Sequence, residues 1–404
     1  MDRVSEKRPL LVNTKKQPAK QDDGSLTAQV VLRVTLTFVF MVITELGSLN
    51  QTLYIYKRAS DLNTNNDTYT SVQNLNATNA CGLNQSLASE NNNQKLAAKW
   101  TWYFDLVVHG LGVLSLLLYG LYCDFIGRKP LLIISLTGEA LRYAMMSFIN
   151  YRNLPFVFFF VPYALSGLTG NSYLFFIAST ASIADKTSYS QSRTVGLAVF
   201  EVLIGLGGGI AKLGVGYLIK YMGYLIPMLT CFGAYFACSL FVCMFIEDTI
   251  APSSYKHLTF SVGLKRIFGF FYDKTAFIGG RPALFILAWS AFMIIHFART
   301  SAYGITTLFE LKSPFCWTSE EIGWFGFIQN IIEFIIGLAI MKILQCCMKD
   351  EYLAVLGCLS NIGIFLVMGF ATTNFMMYAC KYSILLNSCA KANMKMDINE
   401  YSLV

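Results

Sequence analysis

The chain has 404 residues, of which 55% are hydrophobic and only 14% charged, and its formal net charge is +7. A water-soluble globule of this size would lack the polar surface to cover itself, so the composition excludes one and points to a chain that lives in a bilayer. The positive balance calls for no nucleic acid, because basic residues retained at the cytosolic face of a membrane protein account for it.

Residues 1–27 are polar, contain six basic groups and show no cleavable signal peptide, so they are expected to form a cytosolic tail ahead of a retained first span. Within the tail, Glu6, Leu10 and Leu11 fit the acidic dileucine form E-x-x-x-L-L, which clathrin adaptors read as a lysosomal or endosomal sorting signal. The alternative is a disordered tail with a chance match. Tyr401 to Val404 fits a tyrosine sorting form and carries less weight.

Apolar stretches predict ten membrane helices, at 29–54, 101–123, 131–149, 156–183, 195–219, 224–246, 283–308, 323–344, 352–371 and 375–390. With the N-terminus in the cytosol, nineteen Lys and Arg fall on the cytosolic side and seven on the other, as the positive-inside rule asks. The loop at 56–99 then enters the secretory lumen, and it carries three glycosylation acceptors, Asn66, Asn76 and Asn84. A fourth match, at Asn50, lies too near the membrane to be modified.

Between spans 2 and 3 runs Gly120-Leu121-Tyr122-Cys123-Asp124-Phe125-Ile126-Gly127-Arg128-Lys129, the pattern G-x-x-x-D-x-x-G-R-K. It resembles the conformational hinge of the major facilitator superfamily. There the glycines allow close helix approach, the aspartate is a fixed anion, and Arg and Lys are cytosolic charges. The polar stretch 247–282 is a cytosolic central loop dividing a six-helix half, 28–246, from a half of four helices, 283–390, and a short tail, 391–404. The expected fold is therefore all-α and integral to the membrane, a major facilitator fold in which helices 11 and 12 are missing.

Ionisable residues inside spans are costly and mark function by default. Glu201 stands out, with no basic residue at i±3 or i±4 and with the run Gly205 to Gly209 following, where a neighbouring helix can come close. A buried lone carboxylate of this kind can take up a proton near neutral pH and release it to the other side. His296 is the second candidate, as a proton relay or a contact for an anion. The pairs Asp105 with His109 and Glu139 with Arg142 are secondary, each having a structural reading of equal weight. Of eleven cysteines, nine lie in spans or at their cytosolic ends, while Cys81 and Cys316 both face the oxidising side and are expected to pair, the alternative being a free thiol at either.

These features, with A-S-T-A-S-I-A-D-K-T-S at 178–188, S-R-T at 192–194 and L-F-E-L-K-S-P-F-C-W at 308–317, resemble solute carrier family 46, the group of the proton-coupled folate transporter. The resemblance implies that Glu201 is the proton-coupling glutamate, that His296 is the helix 7 histidine and that Cys81 and Cys316 form the loop disulfide. Asn171 and Ser172 stand where the folate transporter has an aspartate, and Lys391 where it has an arginine, and both departures weigh against folate itself. With Arg142 and Arg299 they make up the candidate substrate contacts. The implied activity is proton-coupled import of an organic anion, folate-like, a muropeptide or a cyclic dinucleotide, by alternating access. Residence would be in the lysosomal, endosomal or plasma membrane, with no cofactor or metal and protons as the coupling ion. A different class of reading is a shortened, non-transporting isoform that binds or regulates a full-length carrier. An enzyme is not expected, because the polar loops hold no dense constellation of acids, metal ligands or nucleophiles.

Overall fold

A computed structural model describes residues 23–66, 87–186, 191–248, 306–336 and 350–382, with a few isolated helical positions between 287 and 294. Among these residues the chain is helical with no strand. The helices are α1 (Asp23–Asn66), α2 (Leu87–Ile126), α3 (Arg128–Tyr151), α4 (Phe160–Leu168) behind a 3₁₀ turn at Phe156–Phe159, α5 (Asn171–Lys186), α6 (Gln191–Met222) and α7 (Leu225–Phe245). They are followed by α8 (Ser319–Asn330), which continues as a π-helix through Ile331–Ile336, then α9 (Asp350–Gly369) and α10 (Asn374–Tyr382). Five stretches among the described residues are long and apolar enough to cross a membrane: Ala28–Leu62, Asn92–Gly120, Arg128–Tyr151, Val202–Met222 and Leu225–Phe245.

Two expected boundaries move. Helix reaches into 56–99 from both ends, because the polar end of α1 finds partners. Arg58 donates to the Asn153 carbonyl (2.7 Å), the Leu154 carbonyl (2.7 Å) and Asn153 Oδ1 (2.9 Å), and so collects carbonyls just past the end of α3. Asn93 of α2 donates to Ser60 at 3.2 Å. The span read as continuous over 156–183 is instead broken into α4 and α5. Gly170 at φ +80° and Asn171 at φ +52° stand in succession in the left-handed region, which Gly and Asn tolerate best and which ends a right-handed helix.

The α2–α3 turn shows why its glycine is there. Gly127 sits at φ +98°, and a Cβ on it would lie 2.2 Å from Asp248 Oδ2. Asp248 Oδ1 accepts the Arg128 N–H at 3.0 Å, so an anion sits on the N-terminus of α3, where the helix dipole favours it. Lys129 donates to the Cys243 carbonyl at 2.9 Å, tying the same turn to the end of α7. Close approach does not extend to Gly120, which has nothing within 4 Å of where a Cβ would stand among the described residues.

The buried apolar residues form two cores. One joins Leu36, Phe40, Leu131, Leu136, Phe175, Tyr235 and Val242, all from α1 to α7. The other joins Leu53, Phe104, Phe159 and Ile219 to Leu311, Trp317, Ile322, Phe325 and Met377 from the later part of the chain. At this second core α6 and α8 touch backbone to backbone: a Cβ on Gly216 would lie 2.6 Å from the Ser319 carbonyl oxygen, and one on Gly323 2.7 Å from that of Lys212. The seam is finished by polar contacts. Trp324 Nε1 donates to the Tyr217 hydroxyl at 3.0 Å, Lys220 pairs with Glu320, and Thr318 and Glu321 form a capping box that starts α8.

Candidate functional site

A cavity of about 430 Å³ lies between the two sets of helices, within the range of sites for small organic solutes. Arg142 is its central cation. The side chain is largely withdrawn from solvent and is held on several sides. One arm of the guanidinium donates to Glu139 Oε2 at 2.9 Å and the other to Gln51 Oε1 at 2.6 Å, while the rings of Tyr143 and Tyr163 lie 5.2 and 5.1 Å from its carbon. Glu139, 1% exposed, is held in turn by Ser166 of α4, and Gln51 donates to the Tyr163 hydroxyl. A planar cation fixed in this way presents a prepared donor surface to an anion.

The break between α4 and α5 opens beside it. Asn171 and Ser172, the first residues of α5, line the cavity together with Tyr173. Asn171 Oδ1 caps the Ser172 N–H at 2.5 Å, and the Asn171 carbonyl accepts from Ser135 of α3 at 3.1 Å. A discontinuous membrane helix thus turns the positive end of its second half toward the cavity, an arrangement suited to an anionic group.

On the other side the lining comes from α1, α6, α8 with its π-helical continuation, α9 and the helical stretch 306–310. Glu45 and Lys212 face each other at 3.6 Å. Glu310 and Glu333, 3% and 2% exposed, also line the cavity, and Glu333 lies within the π-helix, a distortion frequent at functional sites. The glycines after Glu201 bring these elements together. A Cβ on Gly208 would lie 3.3 Å from Glu45 Cγ and 3.7 Å from Asn330 Nδ2, and one on Gly205 would strike Phe334 at 2.1 Å.

Of the residues proposed from sequence, Arg142, Asn171 and Ser172 come together at the cavity, as do Asp105 and His109 of α2. Glu201 lies in α6, but its side chain is outside the described residues, as is that of Asp124 in the hinge. His296, Arg299, Lys391, Cys81, Asn76, Asn84, Glu6, Leu10 and Leu11 lie outside the described residues altogether. Asn66 ends α1, and Cys316 is disulfide-bonded. Asn50 is fully buried and donates to the Tyr224 carbonyl at 3.1 Å, which removes it as a glycan acceptor. Sequence reasoning missed Gln51 and Tyr163, which carry no charge, and Glu310, counted as part of a loop. It also missed Arg33, 1% exposed and bonded to Ser182 and the Glu247 carbonyl at the far end from the seam.

No family model matches the chain. The proton-coupled folate transporter of Rattus norvegicus is 30% identical over 287 residues, covering 70% of this chain and 61% of that protein. The lysosomal proton-coupled steroid conjugate and bile acid symporter of Bos taurus is 26% identical over 348 residues, covering 84% of this chain and 74% of that one. The crystal structure of the human organic anion transporter MFSD10 superposes with a TM-score of 0.60 at 16% identity, covering 95% and 87%. The fold is therefore that of the major facilitator superfamily of membrane transporters. In sequence the chain is similar to the proton-coupled folate transporter and to the lysosomal SLC46A3 symporters. It spans 61% of the length of the folate transporters it matches.

Proposed function

We propose that the protein is a proton-coupled carrier that moves an organic anion into the cytosol by alternating access, with its N-terminus cytosolic. The observation that carries the reading is the cavity between the two sets of helices, where the fixed guanidinium of Arg142 and the open N-terminus of α5 converge. The buried Arg142 Nε, which has no hydrogen-bond partner among the described residues, and the positive end of α5 both favour a carboxylate or phosphate. Relatives described as proton-coupled, one of them lysosomal, support the coupling and a home in an acidic compartment or at the cell surface.

In this mechanism a proton and the anion load together from the acidic side, and their combined binding shifts the balance between two arrangements of the halves. Glu201 is the coupling group, seated on the helix that forms the seam, with His296 as relay. The solute is a folate-like compound, a muropeptide or a cyclic dinucleotide, and the dileucine at Glu6, Leu10 and Leu11 directs the protein to lysosomes through clathrin adaptors. Uptake of these three classes into proteoliposomes at acidic and neutral pH tests solute and coupling together. Glu201→Gln is expected to leave uptake that no longer rises with acidity, and an unchanged pH profile in that variant removes Glu201 from the coupling role.

A further inference from the structure

Donor and acceptor chemistry fixes which way the hydrogen bonds around Arg142 run. A guanidinium only donates, so the Gln51 atom that meets Arg142 Nη2 at 2.6 Å is the amide oxygen, and the amide nitrogen faces the other way. That nitrogen has the Tyr163 hydroxyl before it and only donates, so the Tyr163 oxygen is the acceptor between them. The reversed amide would set N–H against N–H at Arg142, which leaves one orientation. The single hydroxyl hydrogen of Tyr163 must therefore go to another acceptor, and among the described residues none takes it.

The ring that carries this hydroxyl is held in place. It stacks on Phe104 with centroids 4.7 Å apart and lies 5.1 Å from the guanidinium carbon of Arg142, and Tyr163 and Arg142 both line the cavity. Arg142 keeps a donor of its own: each terminal nitrogen is engaged, one by Glu139 and one by Gln51, while the buried Nε hydrogen has no acceptor among the described residues. The carboxylates of this corner leave both hydrogens unclaimed. Glu139 receives Arg142 Nη1 and Ser166, and Asp105, whose charge acts on Tyr163, accepts no hydrogen bond from it among the described residues. A buried donor without an acceptor is costly, so two of them on neighbouring side chains mark a place where an acceptor belongs.

We infer that Tyr163 is a second donor of the anion site, giving its hydroxyl hydrogen to the solute's oxyanion while Arg142 supplies the charge and the Nε hydrogen. The inference rests on the organic-anion reading given above and adds to it a residue that sets specificity for a carboxylate or phosphate, whose oxygens can take both hydrogens. Gln51 is a positioning residue. It holds Arg142 through its oxygen and Tyr163 through its nitrogen, and so orients the guanidinium and leaves the hydroxyl hydrogen for the solute. Such a site rejects a neutral isostere, because the isostere leaves charge-assisted bonds unmade.

The test uses the purified chain and two probes at neutral pH, 4-acetamidobenzoate and its neutral isostere 4-acetamidobenzamide, with affinity read by titration of thermal stabilisation. The benzoate is expected to bind the parent more tightly than the amide. Tyr163→Phe, which keeps the ring and removes the hydroxyl, should weaken the benzoate by roughly tenfold, the scale of a hydrogen bond to a charged group. In Gln51→Glu the new carboxylate accepts the hydroxyl hydrogen, so adding Tyr163→Phe to that background should cost less than about threefold. Benzoate affinity unchanged by Tyr163→Phe overturns the inference and leaves the organic-anion reading standing. A loss equally large in the Gln51→Glu background makes the hydroxyl a packing group and overturns the inference too. Amide bound as tightly as benzoate by the parent overturns the organic-anion reading and this inference with it. So does the absence of stabilisation by either probe up to about 10 mM, a concentration that even millimolar affinity would register. Should Tyr163→Phe fail to fold, Gln51→Glu alone decides: it is expected to weaken the benzoate, and an affinity equal to the parent's overturns the inference.

Discussion

The two ends of the helical assembly are built differently. At the Trp317 end a single apolar core contains residues from both parts of the chain, and α6 and α8 meet through glycines with carbonyl oxygens against the opposing backbone. At the Gly127 end the core is made from α1 to α7 alone, and what closes the turn is a contact from just beyond α7, Asp248 on the N-terminus of α3. One end joins the earlier and later helices, and the other ties α3 to the end of α7. The proposed alternating mechanism asks for both kinds of structure, because rigid bodies must rock about a contact that can be made and broken. Under that proposal the glycine seam is the contact that parts, and the α3 turn belongs to a body that moves as a unit.

The largest effect is expected where the comparison is most exposed to failure, at the seam. Gly216→Leu places branched carbon into the space occupied by the Ser319 carbonyl and should cost about 1–3 kcal/mol, the usual range for overpacking. The strain should appear as separation of α6 from α8. A cysteine pair at Tyr217 and Trp324, whose ring tips meet at 3.0 Å, should be joined by a short bifunctional thiol reagent that spans the removed rings, readily in the parent and poorly in the variant. Undiminished cross-linking in a folded variant would mean that this seam is not a separable contact.

A smaller effect is expected at the opposite end. Gly127→Ala adds a Cβ at φ +98° and drives it into the Asp248 carboxylate, which amounts to roughly 1–2 kcal/mol of strain from the backbone alone. Because the contact lies at the opposite end from the seam, the melting temperature should fall while the Tyr217 to Trp324 cross-link stays as it was. A change in cross-linking would show that the two ends are coupled through the body of α3 and α7, and the contrast drawn between them would weaken.

Much of this was legible in the residues, and the failures have identifiable causes. Composition and span-length apolar runs marked a membrane chain, and the glycines from Gly205 to Gly209 foretold a helix that admits close neighbours. Arg142 could be picked because a charge in a span stands out in sequence, whereas Asn171 and Ser172 were candidates only through the resemblance to solute carrier family 46. The break at Gly170 and Asn171 was written in the sequence too, but an apolar average over 156–183 conceals a two-residue switch to the left-handed region. Gln51, Tyr163 and Asp248 could not be found that way. Their roles depend on partners 91, 112 and 120 residues distant along the chain, which periodicity does not encode.

The smallest effect expected concerns acidity at the seam, and its sign matters for how the carrier opens. Glu320 stands at the exposed start of α8, and the hydrogen bond it receives from Lys220 holds its carboxyl below the usual carboxylate range. A group depressed in this way keeps its ion pair above its ordinary pKa and loses it only as the pH falls through the lower, folded value. Acidification from pH 7 to about 5 therefore leaves the pair intact, since that window lies above the ordinary glutamate pKa of roughly 4.3. The Tyr217 to Trp324 cross-link should be equally efficient at both ends of that window, in the parent chain and in Glu320→Gln alike, because a solvent-exposed pair adds little to a seam held by backbone contact. A cross-link that weakens at pH 5 in the parent but not in Glu320→Gln would make this pair the acid-sensitive latch. Equal efficiency throughout excludes this pair as an acid-sensitive latch, and the proton coupling proposed above then has to act through other groups.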